Sequence, residues 1–392
     1  MSLFTTAVHS GHLPPKPGAP SNPPIVTASG WSYEDMETLD VALGDENAGY
    51  VYARNAAPTQ EAFEAAMTAM EQGAGAAAFA SGMAALHAAL VVAGAKPDAT
   101  VLAATELYGA TQTLLKSLSD NSGVDVRRVN IRDVSEVKNA LAHLNGGVLL
   151  FEILSNPLAR VADAPALVDL AHRRGLRGVV DSTFTSPYLI QPLTLGADLV
   201  MHSATKYIGG HGDVLAGIVV ARTEADAMAL RATRKLFGSN LSPFDAYLAL
   251  RGLRTMPLRV REQNANAFRL AMWLAEHPRI AQVHYCGLPG HADHATAKRI
   301  LREGGFGAML AFDIKDAGRA EIFTFMAKLR IAQRIPSLGD VATLISYPAH
   351  ASHRALTPDQ RAALGIGDGC VRLSVGIEDV NDLMADLEQA LM

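Results

Sequence analysis

A lysine stands directly behind an apolar run in Asp198-Leu-Val-Met-His-Ser-Ala-Thr-Lys206, and a glycine-rich loop, Tyr-Ile-Gly-Gly-His-Gly-Asp213, follows it. A surface lysine is the ordinary reading of such a residue. Placed between a strand and a glycine-rich loop, however, Lys206 lies where ligand sites form. Desolvation and neighbouring cations would depress its pKa and make the amine a nucleophile toward an aldehyde. Ser203 and Thr205 offer hydroxyls to a phosphate. Upstream, Asp181 ends the apolar run Gly178–Val180, either as a turn former for Ser182-Thr183 or as an acid in a ligand crevice. Ser81-Gly82-Met83 sits between a buried strand candidate and a helix. Free N–H groups at a helix start attract phosphate, although Ser-Gly also serves such turns for backbone reasons alone. Jointly these parts fit one chemistry. A helix N-terminus and two hydroxyls suit a phosphate, a lysine suits a Schiff base, and an acid suits a protonated pyridine nitrogen. That is the apparatus for pyridoxal 5′-phosphate, which acts as an electron sink for carbanions.

Other motifs point elsewhere and fail. Gly73-Ala-Gly75-Ala-Ala-Ala78 matches a loose dinucleotide fingerprint, but with a helix before it and a strand after it, the reverse of what that site needs. There is no GxxxxGK[ST], HExxH or paired-cysteine zinc spacing, so no metal site is expected.

The elements that must position these residues alternate. A helix capped by Thr59 carries Phe63, Ala66, Met67 and Met70 on one face and ends at Gly73. Strand candidates follow at 76–80, 100–104, 124–129, 148–153, 178–181 and 198–202, with helices at 82–93 and 111–118 and one from Asp133 through His143. The strands are nearly all apolar, as in a parallel sheet covered on both faces. This predicts an open α/β domain with its ligand at the carboxyl ends of the strands. After about Thr255 a long helix over Leu258–Glu276 leads into strands at 281–285, 308–313 and 370–375. Thr357-Pro358-Asp359-Gln360 reads as a capping box, and Asn381 is expected to cap a final helix. Residues 1–55 read as irregular. Pro14, Pro15, Pro17, Pro20, Pro23 and Pro24 interrupt regular structure there. Trp31, Tyr33, Tyr50 and Tyr52 favour an ordered arm on a neighbouring subunit over a free tail. The expected organisation is an arm over 1–55, a large cofactor domain over 56–254 and a small α/β domain over 255–392.

Composition agrees with an enzyme. The chain has 392 residues, 49% hydrophobic and 19% charged, with a formal net charge of −5. That balance disfavours a nucleic-acid footprint or a polybasic membrane patch. The longest apolar stretches fall short of a membrane span, and the first residues lack the charged and apolar regions of a secretory signal. Cys286 and Cys370 are the only cysteines; both read as buried small hydrophobes, and a reducing cytoplasm is the expected location.

The stretch DSTFTSPYLIQPLTLGADLVMHSATKYIGGH, which carries both Asp181 and Lys206, closely resembles the Cys/Met-metabolism pyridoxal-phosphate enzymes of trans-sulfuration. The likeness runs from Thr6-Ala-Val-His9 to Arg372-Leu-Ser-Val-Gly-Ile-Glu-Asp379. It implies a fold-type I subunit, with a mostly parallel sheet in the large domain and a smaller C-terminal α/β domain. It also implies a homotetramer built from tight dimers with shared active sites. By resemblance Lys206 joins the cofactor aldehyde and Asp181 pairs with the pyridine nitrogen. The Gly82 and Met83 amides, with Ser203 and Thr205, hold the phosphate. Tyr52 and Arg54 match a Tyr-x-Arg that reaches the phosphate of the neighbouring subunit. Tyr108 matches the tyrosine that stacks on the ring and moves protons, and Asn156 the asparagine near the ring hydroxyl. Arg372 matches the arginine that clamps the substrate carboxylate, with Ser337 beside it.

The resemblance implies γ-elimination from a sulfur amino acid, namely methionine, homocysteine or cystathionine; the alternative is a γ-replacement synthase acting on an O-acylhomoserine. Ala57, Ala110 and the pair Ile335-Pro336 depart from family patterns. Ile335-Pro336 replaces a glutamate typical of cystathionine-handling members, and with the Ser-Leu-Gly-Asp that follows it looks closer to methionine γ-lyase. A non-catalytic relative would be expected to lose Lys206, Tyr108 or Arg372, and all three are present.

Overall fold

The structure is a computed structural model and describes residues 1–12, 18, 20–45, 48–354 and 356–392. Pro14, Pro15 and Pro17 lie outside the described residues. The arm is less irregular than its prolines imply: it holds the short helices α1 (Leu3–His9) and α2 (Met36–Gly44). It is tied down by polar contacts. Tyr33 donates to the Tyr50 carbonyl at 2.8 Å, Tyr50 donates to Glu61, and the Trp31 and Tyr50 rings lie 5.3 Å apart.

The next helix, α3 (Pro58–Glu71), has Pro58 in its first turn and Ala57 at its N-cap, with no side-chain cap. Thr59 is therefore not the cap. Its hydroxyl is used on the arm instead, accepting the Val26 N–H and donating to the Pro24 carbonyl, both at 2.9 Å.

The alternating pattern then unfolds as β1 (Gly75–Phe79), α4 (Gly82–Ala93), β2 (Thr100–Ala104), α5 (Gly109–Ser122), β3 (Asp125–Val129), α6 (Val134–Leu141), β4 (Gly147–Glu152), α7 (Ala164–His172), β5 (Leu176–Asp181), α8 (Ser186–Leu189) and β6 (Leu199–His202). Next come β7 (Gly217–Ala221), α9 (Glu224–Phe237) and α10 (Pro243–Glu276). Among the described residues one seven-stranded sheet runs β1-β7-β6-β5-β4-β2-β3. Its strands pair in parallel except β7, which is antiparallel to both β1 and β6. The central strands are buried along nearly their whole length, as a sheet covered on both faces requires. Strand β7 has no counterpart in the sequence reading. It is a five-residue apolar run beside a glycine-rich loop, too short for periodicity to distinguish from other buried chain.

The C-terminal part contains β8 (Ile280–His284), α11 (His294–Ile300), β9 (Met309–Ile314), α12 (Arg319–Lys328), β10 (Gln333–Arg334), β11 (Leu344–Ser346), α13 (Pro358–Ala363), β12 (Cys370–Ser374) and α14 (Val380–Leu391). The second sheet runs β10-β11-β12-β9-β8 and is antiparallel apart from β10-β11. The capping box at Thr357 and Gln360 forms as expected. The last helix is capped by Asp379, whose carboxylate accepts the Asn381 N–H at 2.8 Å, so Asn381 is not the cap but the second residue of the helix.

Helix α10 begins at Pro243 rather than Leu258 and includes Pro257 in its interior. Proline costs a helix one N–H bond, and here packing on both sides sustains the helix across it. Ala246, Leu250, Leu253 and Val260 belong to the core of the first sheet. Ala267, Leu270, Ala271 and Leu274 belong to the core of the second. The passage from one body to the other thus falls inside a helix. Among the described residues no helix is long and apolar enough to cross a membrane.

Candidate active site

The carboxyl ends of β4, β5 and β6 open into a cavity of about 480 Å³ that is lined from both sheets. Strand geometry delivers its polar floor. Glu152 and Asp181 are register partners at the ends of β4 and β5, and Asp181 partners Met201 on β6. Asp181 accepts the Thr183 N–H at 2.9 Å, and the Thr183 hydroxyl accepts the Ser203 N–H at 2.9 Å. Burial pushes the Asp181 carboxyl up, opposed by its bonds to Thr183 and by His202. His202 is itself buried and paired with buried Glu71 at 2.7 Å.

One rim is the start of α4. The Ser81 hydroxyl accepts the Ala84 N–H at 3.2 Å, so the N–H groups of Gly82 and Met83 remain for a ligand. Gly82 is required there: a Cβ would stand 2.8 Å from the Ser203 Cβ. Ser203 lines the cavity beside it, as does Thr205, whose hydroxyl meanwhile bonds the Ala216 backbone.

Lys206 reaches into the middle and donates to the Ser337 hydroxyl at 2.8 Å. Burial, then the charge of Arg372, hold its pKa below that of an ordinary lysine. Arg372, on β12, donates to Asn156 Oδ1 at 2.9 Å and to the Ser337 carbonyl at 3.0 Å. Its Nε is buried without a partner, and burial brings its pKa down to about 10. Tyr108 stands at the N-cap of α5 with an exposed ring, and its N–H donates to Glu152 at 2.6 Å.

The structure therefore brings together Gly82, Met83, Tyr108, Asn156, Asp181, Ser203, Thr205, Lys206, Ser337 and Arg372 around one cavity. Tyr52 and Arg54 stand apart from it. The Arg54 guanidinium lies 5.5 Å from the Tyr52 ring and donates to the Lys235 carbonyl, and the Tyr52 ring faces outward. Sequence reasoning missed Glu152 and Thr183. Glu152 carried the same signal as Asp181, an acid closing an apolar strand. Cys286 and Cys370 are buried, and burial pushes the Cys286 thiol up to about 12.

A cavity with exposed helix-start amides, hydroxyls beside them, a carboxyl on the floor and a lysine of lowered pKa suits a phosphate, a pyridine ring and an aldehyde at once. Fold and site together define a pyridoxal-phosphate enzyme of fold type I. The chain matches the Cys/Met metabolism PLP-dependent enzyme family over residues 4–392, and it belongs to that family. It is a trans-sulfuration enzyme, and pyridoxal 5′-phosphate is its cofactor. The chain is 38% identical over 391 residues to an L-methionine gamma-lyase of Pseudomonas putida, covering 99% of this chain and 96% of the relative. It is 39% identical over 389 residues to a cystathionine gamma-synthase of Mycobacterium leprae, with the same coverage. Among solved structures, the cystathionine gamma synthase of Xanthomonas oryzae pv. oryzae in complex with cystathionine superposes with a TM-score of 0.92 at 37% identity, over 100% of this chain and 98% of that one.

Proposed function

We propose that the protein catalyses γ-elimination from a sulfur amino acid (methionine, homocysteine or cystathionine), in which water enters and 2-oxobutanoate, ammonia and a thiol leave. The observation that carries this reading is the cavity itself. Arg372 and Lys206 line it together with Leu215, Phe184, Pro336 and Ala351, an apolar lining suited to a thioether.

When bound, pyridoxal 5′-phosphate supplies an electron sink for negative charge developing beside the substrate's amino group. The chain's own residues do the rest. The Gly82 and Met83 amides, Ser203 and Thr205 would hold the phosphate, Asp181 would hold a proton on the ring nitrogen, and Asn156 would serve the ring hydroxyl. Arg372 clamps the substrate carboxylate, with Ser337 fixing the guanidinium. Lys206, whose pKa burial and then the Arg372 charge lower, takes the proton from the substrate Cα. Tyr108, at the cavity mouth, would face the bound ring and deliver a proton to the departing sulfur.

Tyr52 and Arg54 complete the phosphate site of a neighbouring subunit in a homotetramer. Their outward placement supports this, as do exposed apolar side chains on the same molecule, Met36, Val41, Leu43, Leu236, Phe237 and Phe244. A second reading is γ-replacement on an O-acylhomoserine, favoured by the likeness to cystathionine γ-synthases noted above. It differs in admitting a nucleophile at Cγ in place of elimination.

Release of 2-oxobutanoate from methionine, homocysteine, cystathionine and O-acetylhomoserine, each with and without added thiol, separates the two readings. Elimination gives the oxo acid from a thioether without thiol. Product formed only from O-acetylhomoserine plus thiol would overturn it. Lys206→Ala should lose both the visible band of the bound cofactor and its fixation by borohydride.

A further inference from the structure

The mechanism above leaves one cavity carboxyl without a task. Glu152 closes β4 as Asp181 closes β5, and the two are direct partners in a parallel register. Side chains at partnered positions of adjacent strands point to the same face. Two carboxyls so placed on the lining of one cavity cannot both be ionised without repulsion. Glu152 is buried, and its Oε1 accepts the Tyr108 N–H at 2.6 Å. That bond links the strand end to the residue that starts α5 and carries the ring at the cavity mouth.

From this juxtaposition we infer that Glu152 is a positioning residue for the reaction: it seats Tyr108 through the backbone N–H and, as the proton-bearing member of the strand-end pair, leaves the negative charge on Asp181. The surroundings decide which member keeps the proton. Asp181 has the Thr183 N–H and faces His202 on β6. Glu152 faces the charge of Asp181 and, from the turn before α5, that of Glu106, which pairs with Arg160. Burial first, and then the Asp181 charge, hold the Glu152 carboxyl well above the usual range, against the Tyr108 N–H bond, which favours its charged form. Lys206 and Arg372 across the cavity are engaged with Ser337 and Asn156.

The inference rests on the roles given above to Tyr108 and Asp181 but not on the choice of substrate, so its two deciding tests are made without one. Glu152→Gln keeps an oxygen that can accept the Tyr108 N–H, whereas Glu152→Ala removes it. In the full chain, hydrogen exchange in peptides covering 105–112 should speed up in Glu152→Ala and stay near wild type in Glu152→Gln. The infrared C=O stretch of a protonated carboxyl should be present at neutral pH in the wild-type holoenzyme and missing in Glu152→Gln. In turnover, Glu152→Ala should lose ~10–100-fold in kcat/KM, with a smaller loss for Glu152→Gln. Unchanged exchange in Glu152→Ala would overturn the seating of Tyr108. A carboxyl band that survives in Glu152→Gln would overturn the assignment of the proton.

Discussion

Arg372 and Lys206 share one cavity as two cations, and each shapes what the other can do. The guanidinium is fixed by Asn156 and Ser337, and its charge adds to burial in lowering the pKa of the lysine. Arg372→Gln should therefore act twice. Loss of the carboxylate clamp should raise KM, lowering kcat/KM by ~10–100-fold. Removing a like charge also raises the Lys206 pKa, so the acid limb of the kcat profile should move to higher pH. A profile that does not move would show that burial alone sets the lysine. At this scale the sequence was readable where chemistry sits at strand ends. Lys206, Asp181 and Ser203 follow apolar runs that any parallel-sheet argument would mark. Glu152 was marked equally well and passed over. Arg372 and Ser337 were not derivable that way. Both come from the other sheet's side of the cavity, which chain order does not reveal, and only the family resemblance named them.

The loop from Ser337 to Gly339 is the element that joins the two sheets at the site. Gly339 has φ +79°, and a Cβ there would stand 2.5 Å from the Tyr207 nitrogen and 2.9 Å from the Lys206 carbonyl carbon. A side chain would thus strain the loop and push on the lysine's own backbone. Gly339→Ala should fold but bind its cofactor less tightly, as read by the visible band during dialysis; a band retained as in wild type would show that the loop can shift freely. Element types were legible wherever length and apolar pattern agreed, as in α4, β2, β4 and β5. They were not legible where packing overrode local preference. Thr59 looks like a helix cap, yet its hydroxyl bridges Val26 and Pro24 of the arm. Pro257 looks like a helix stop, yet α10 passes through it because residues on both sides are buried.

For the whole molecule, the placement of Tyr52 and Arg54 makes a prediction that a self-contained subunit would not. If these residues serve the neighbour, a Tyr52→Ala subunit has an intact lysine, and a Lys206→Ala subunit has an intact arm. Mixed and reassembled, the two inactive variants should regain part of the wild-type turnover, because some sites then receive one good half from each chain. No recovery in assemblies of normal size would count against sharing.

Helix α10 has a consequence of its own. A rod that starts beside one core and ends beneath another leaves no open chain at the crossing for a protease to cut or for a swivel to use. Severing it anywhere between Val260 and Ala267 would bare an oily stripe on each side at the same moment. The two bodies are accordingly expected to loosen together on heating and to resist survival as separate fragments.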